Sequence, residues 1–183
     1  MTRTRADLGV VRPADVEPEP WANGLGVTRV LAARAAWRIS LAEIDGRMPF
    51  SPFLGADRVL IPLSPSGVTL EIEGIERSVG RFEGAAFRGE DHVIAQTDGE
   101  RVSVVNFMTR RSSGRIDWSI HRGAGPLPAD VEALVVLDGR VLVSGDLLPV
   151  GAVVVPGPGV RARAEADAVV AVMRLSGVVW SRR

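Results

Sequence analysis

The sequence predicts an all-β protein made of two tandem halves, and three observations carry that prediction. Short runs rich in Val and Ile recur along the chain, bounded by Gly, Pro, Ser and Asp. Their spacing of roughly eight to twelve residues is that of a sandwich or barrel of short strands. A series beginning near Val131 then repeats, in order, the strands and turns seen earlier in the chain.

The elements can be taken in chain order. Residues 1–20 are polar and proline-bearing, and are expected to run over the surface. Residues 21–111 form the first half. Within it, TRVLAARAAW is rich in alanine but short and uncapped, so it is assigned to strand or irregular chain. WRISLAEI, from Trp37, alternates apolar with polar or small residues, the period of a strand. DRVLIPLS, VTLEIEG, DHVIAQT and RVSVVNFMTR supply further strands. Residues 112–130, rich in Gly, Pro and Ser, read as a linker, and 131–183 form the second half. There, two apolar runs flank Asp138-Gly139, a hairpin signal because Asp-Gly accepts positive φ. A Gly145-Asp146 turn and LPVGAVVVPGPG follow. This order resembles a cupin module, and VLIPLSPSGVTLEIEG, FEGAAFRGE and VSVVNFM form a looser version in the first half. The expected architecture is therefore a bicupin, two tandem cupin-like β-barrels or sandwiches of RmlC-like type.

Composition removes several classes of function. The formal net charge is zero, which argues against broad electrostatic binding of nucleic acid or an anionic membrane. No stretch has the length and apolarity of a transmembrane helix, and the first twenty residues hold no apolar signal core, so a cytoplasmic protein is expected. There is no Cys, hence no disulfide, thiolate or Cys-ligated metal. Every basic residue is Arg, which removes Schiff-base and P-loop lysines, and there is no Tyr to act as acid or base. His92 and His121 lie far apart, without the closely spaced His pair, Glu and further His of metal-binding cupins. No metal or other cofactor is expected. No G-x-S-x-G elbow is present, and GLG and GVTRV lack the βαβ setting of a dinucleotide fingerprint.

Three polar clusters interrupt the apolar pattern. WANGLGVTR holds Trp21, Asn23, Thr28 and Arg29; PFSPFLGADR holds Phe50, Ser51, Asp57 and Arg58; VNFMTRR holds Asn106, Thr109, Arg110 and Arg111. Strand alternation puts Asn106, Met108 and Arg110 on one face. Asn and Arg turned inward are costly unless paired or offered to a ligand, and Arg is suited to grip a carboxylate through two hydrogen bonds. For each residue there is also a plainer role: Asp57 paired with an Arg, Asn23 stitching a turn, the glycines near Asn23 supplying positive φ.

Together these clusters resemble the HutD/Ves family. The resemblance lies in PWANGLGVTR, WRISLAEI, PFSPFLGADRVL with GVTLEIEG, and VVNFMTRR, and runs from Pro20 to Arg111, more weakly through the second half. Two places depart from the family pattern: Val104 stands where an Asp is common, and Leu54 where Pro is favoured. The resemblance implies a bicupin without a catalytic metal. Its HutD branch is associated with histidine utilisation and with sensing or regulation, and its Ves branch with stress or cold response. Pathway metabolites such as urocanate and formylglutamate are anionic, which agrees with inward-facing arginines.

The expected function is thus binding of a small anionic metabolite in the first half. Arg29, Arg58 and Arg110 are the candidate anion clamps. Asn23, Thr28 and Asn106 would orient the ligand, Trp21 or Trp37 would form an apolar wall, and Asp57 is counted among the ligand-binding residues. The competing readings are a cupin enzyme of unknown reaction, a Ves-like protein without a defined ligand, and an interaction protein assembling through its sheet edges, for instance as a homodimer.

Overall fold

In the computed structural model, which describes residues 9–21 and 24–177, the apolar runs of the sequence become strands. The chain divides into two units. One is built mainly from residues 18–117, and the other mainly from 118–174 together with the described residues before 18. The first short strand, β1 (Val10–Val11), belongs to the latter.

The unit around residues 18–117 begins with β2 (Glu19–Pro20), β3 (Val27–Ala33) and β4 (Trp37–Ile44). It continues through β5 (Arg47–Pro49), β6 (Ala56–Pro62), β7 (Val68–Ile72) and β8 (Ile75–Val79), then β9 (Ala85–Arg88), β10 (Val93–Gln96) and β11 (Val102–Arg110). These strands make two sheets, ordered β2-β3-β4-β11-β6-β9 and β5-β10-β7-β8. Ala42, Ile44, Leu60, Val102 and Val104 of the first share a core with Val68, Leu70, Val79, Val93 and Ala95 of the second. The smaller sheet buries that inner face, and VTLEIEG accordingly alternates. The larger sheet is buried on both faces. Ile39, Ile61, Val105 and Phe107 turn away from that core and are equally inaccessible to solvent. The central strands β6 and β11 are accordingly buried along most of their length.

The other unit contains β12 (Arg115–Arg122, which begins in the first unit), β13 (Gly125–Pro126), β14 (Ala133–Asp138) and β15 (Val141–Val143). After these come β16 (Asp146–Leu148), β17 (Val153–Val154), β18 (Ala162–Ala164) and β19 (Val169–Ser176). Its sheets are ordered β1-β17-β14-β19-β12 and β13-β18-β15-β16. Leu134, Val136, Val154, Val170 and Val172 of one pack with Val141, Val143, Leu148 and Ala164 of the other.

The all-β class is thus present, and each unit is a two-sheet sandwich. Among the described residues no sheet closes into a barrel, because each retains two distinct edge strands. The segment 112–130, expected as a linker, carries β12 and β13. The hairpin expected at Asp138-Gly139 does not form. β14 pairs with β17 and β19, whereas β15 pairs with β16 and β18. The turn instead takes the chain from one sheet of the sandwich to the other. Its chemistry suits a tight crossing: Asp138 Oδ1 accepts the Gly139 N–H at 2.9 Å, and Gly139 sits at φ +68°. A Cβ on Gly139 would run into the Asp167 carbonyl. The hairpin forms one turn later, through Ser144 and Gly145, which both have positive φ and join Val143 to Asp146.

Two glycine substitutions should separate these effects. Gly74, in the β7–β8 hairpin at φ +78°, has open space at its Cβ position. Gly74→Ala should cost only about 1 kcal/mol of backbone strain, whereas Gly139→Ala adds a collision and should cost about 2–3 kcal/mol or more. Urea denaturation of both variants measures the difference.

Candidate functional site

The inner face of the six-stranded sheet changes character along its length. Ile44, Ala42, Val102, Val104 and Leu60 are apolar. Two residues further along β4 and β11 the same face carries Ser40 and Asn106, which are paired across the strands, and Asn106 is also opposite Leu60 on β6. One step beyond, Met108 stands between Arg38 and Arg58. Three adjacent strands thus set a row of Arg38, Met108 and Arg58 against the end of an apolar core. Arg58 is 5% exposed, Asn106 4% and Ser40 1%. They line a cavity of about 320 Å³. Phe50, Ser51, Pro52 and Phe53, which follow β5, form one wall, and Trp21 and Thr28 contribute to another.

Arg58 determines the electrostatics. Its guanidinium carbon lies 4.9 Å from the ring centroids of Phe50 and Phe87 and 5.3 Å from that of Phe53. These ring faces partly replace lost water. Its Nη2 donates to Asn106 Oδ1 at 3.3 Å, whereas its buried Nε has no partner among the described residues. The buried Nε of Arg38 also lacks one, and the Arg38 guanidinium lies 5.5 Å from the Phe53 centroid. Burial, and then the charge of Arg38, push the Arg58 pKa down to about 10, which leaves it protonated at neutral pH. Among the described residues no carboxylate lies within ion-pair distance of either arginine. Two positive charges therefore meet in a cavity where no carboxylate of the described residues is within ion-pair distance of either.

The remaining polar atoms are mostly donors. Trp21 Nε1 donates to Thr28 Oγ1 at 2.8 Å, which leaves the Thr28 hydroxyl proton free to donate in turn. Asn106 has used its oxygen on Arg58, so its N–H groups are what it has left to offer. Among the lining residues Glu19 is the one acidic group, it is exposed, and there is no His. That donor set suits an oxyanion and does not fit a metal cation.

Of the residues expected from sequence, Thr28, Arg58 and Asn106 line the cavity, as does Trp21. Asn23 lies outside the described residues. Arg29 follows Thr28 on β3, so alternation turns it to the opposite face, and it does not line the cavity. Trp37 is likewise on the far face of β4, buried, with the Arg34 guanidinium 5.8 Å from its ring. Arg110 is exposed at the end of β11, where its backbone N–H bonds Ala36. The trio Arg29, Arg58 and Arg110 is therefore not brought together; Arg38 is the second cation beside Arg58. Arg38, Ser40, Pro52 and Phe53 were missed, and Phe50 and Ser51 stood in a noted cluster without an assigned role, although alternation in WRISLAEI already placed Arg38 and Ser40 on one face. Asp57 takes its plainer role. It accepts from Arg111 Nε at 2.9 Å, and Arg111 also grips both oxygens of Glu90 at 2.9 Å each. These bonds hold the Glu90 carboxyl at a pKa of about 2.

The family model of HutD matches residues 13–151. An uncharacterised 21.2 kDa protein from the hutC 3′ region of Pseudomonas putida is 28% identical over 123 residues, 62% of this chain and 65% of that protein. Protein Ves of Citrobacter koseri is 33% identical over 99 residues, 50% of this chain and 52% of Ves. The match thus spans between half and two thirds of the length of these relatives. Among solved structures, HutD from Pseudomonas fluorescens SBW25 (formate condition) superposes with a TM-score of 0.75 at 23% identity, covering 92% of this chain and 98% of that one. A cupin 2 conserved barrel domain protein from Leptotrichia buccalis superposes at 0.58 and 13% identity, over 89% and 93%. The fold is cupin-like.

Two measurements follow from the electrostatics. Removing the buried, unpaired charge while keeping the side chain long and apolar removes a desolvation cost of several kcal/mol per ion. Arg58→Met should therefore unfold at or above the wild-type temperature in a thermal scan. Glu90 is the opposite case. Its depressed pKa contributes stability that is complete above its ordinary value of 4.5 and is lost as pH falls toward about 2. Glu90→Gln should thus melt below wild type at neutral pH, with the gap closing over that acid range.

Proposed function

The chain belongs to the HutD family, and from that premise we propose that it is a small-molecule-binding protein whose cavity takes an anionic metabolite bearing a carboxylate. The observation that carries the reading is the buried Arg58 guanidinium, flanked by Arg38 and by three phenyl rings, with an unpartnered Nε and no carboxylate of the described protein in reach. A bound carboxylate supplies the missing counter-charge and accepts from Nε. Thr28, Ser40 and Asn106 add hydrogen bonds, and Trp21 and Phe50, packed edge to face at 5.8 Å, form the apolar wall.

The proposed ligand class is that of urocanate and formylglutamate, and the proposed role is sensing or regulation in histidine utilisation. Support comes from the HutD family membership and from the hutC-region relative. The two sandwich units are taken as the tandem halves of a bicupin, with the ligand in the unit around residues 18–117. No helix among the described residues is long and apolar enough to cross a membrane, and we place the protein with its metabolites in the cytoplasm.

Calorimetric titration with urocanate, formylglutamate and formate tests this reading. Wild type should bind at least one of them. Arg58→Met should weaken that binding about thirtyfold or more, the cost of removing one partner of a buried charge pair. Equal binding by wild type and Arg58→Met, or none by wild type, sinks the reading.

A further inference from the structure

The motif VNFMTRR contains an arginine that does not line the cavity yet is bonded to the loop that walls it. We propose that Arg111, through Glu90 and Asp57, is a positioning clamp for the Phe50–Phe53 wall, so that an exposed ion-pair network sets the affinity of a cavity it does not touch. The inference rests on the ligand-binding reading above and deepens it.

The connections are continuous and local. Arg111 bonds this loop and its neighbours through all three of its guanidinium nitrogens. Nε donates to Asp57, Nη1 and Nη2 donate to the two oxygens of Glu90, and Nη2 also donates to the Ala56 carbonyl, each at 2.9 Å. Its backbone N–H takes the Gly55 carbonyl at 2.9 Å. Next to Glu90, the Gly89 N–H also donates to the Ala56 carbonyl, at 2.8 Å, and the Gly89 carbonyl accepts from Phe53 N–H at 2.7 Å. Phe53 in turn accepts from Ala56 N–H at 3.2 Å. Gly89 and Phe53 approach so closely that a Cβ on Gly89 would overlap the Phe53 carbonyl. From Phe53 one step remains, since its ring stands 5.3 Å from the Arg58 guanidinium and 5.5 Å from that of Arg38.

This network is more than one surface ion pair. A single exposed pair contributes little to stability, but one forked guanidinium holding two carboxylates and a backbone carbonyl fixes direction as well as distance. What it fixes is the entry of the chain into β6, one residue before Arg58, and the wall facing it. Preorganisation of that kind appears as affinity, because the ligand then orders fewer groups on binding. Lys at position 111 keeps the charge but cannot reproduce the fork, and Gln at position 90 keeps the size but loses the charge.

The test compares affinity with stability, using formate, urocanate and formylglutamate as probes, well below the unfolding transition. Arg111→Lys and Glu90→Gln should bind whichever probe wild type binds about tenfold more weakly while remaining fully folded. Arg101→Gln breaks exposed pairs with Glu43 and Asp45 in the same unit and should lower only thermal stability, leaving the dissociation constant unchanged. A clamp that is merely structural would move the melting temperature of all three variants and the affinity of none. If Arg111→Lys and Glu90→Gln bind within about twofold of wild type while Arg58→Met has lost binding, the positioning role is overturned and the ligand reading stands. If wild type binds no probe, both are overturned.

Discussion

A buried guanidinium whose Nε finds no partner among the described residues, sealed behind phenyl rings, is the constraint on which the rest of this structure depends. A charge withdrawn from water costs several kcal/mol unless something compensates it. Arg58 receives partial compensation from three aromatic faces and one amide oxygen. The shortfall is the ground on which an anionic ligand is proposed for the cavity. It also explains why the surrounding chain is so heavily bonded, since a site holding uncompensated charge persists only when its frame is over-determined.

That frame follows from register. Because β11 lies between β4 and β6, Met108 is held opposite both Arg38 and Arg58 by main-chain bonds alone. One face of one sheet is thereby divided into an apolar part, which packs, and a polar part, which lines a cavity. The side-chain chemistry at the boundary is abrupt: Val104 to Asn106 on β11 and Ala42 to Ser40 on β4. The outer network of Arg111, Asp57 and Glu90 acts at the open end of the same strands.

Much of the fold was legible because strand period and turn residues leave strong marks. WRISLAEI, VTLEIEG and RVSVVNFMTR all became strands close to their expected bounds. Which face of each strand looks into the cavity was not legible. On a sheet buried on both sides hydrophobicity does not distinguish the inner face, so Trp37 and Arg29 attracted attention while Arg38 stood beside one of them unremarked. Asn106 and Arg58 were found because buried amides and guanidiniums are unusual whichever way they point. Arg110 failed for another reason: alternation extends to it, but the cavity ends at Met108. The Asp138-Gly139 turn was read correctly as a turn and wrongly as a hairpin. Local sequence encodes the reversal, while the choice of partner strand lies in long-range pairing.

The pairing of β1 has a consequence for the order in which the protein assembles. Val10 and Val11 are synthesised well before their partners Val154 and Val153, which follow some 140 residues later. By then residues 18–117 have all been made and can already have folded. β1 must therefore wait, unpaired, for a sheet that nascent-chain synthesis delivers late.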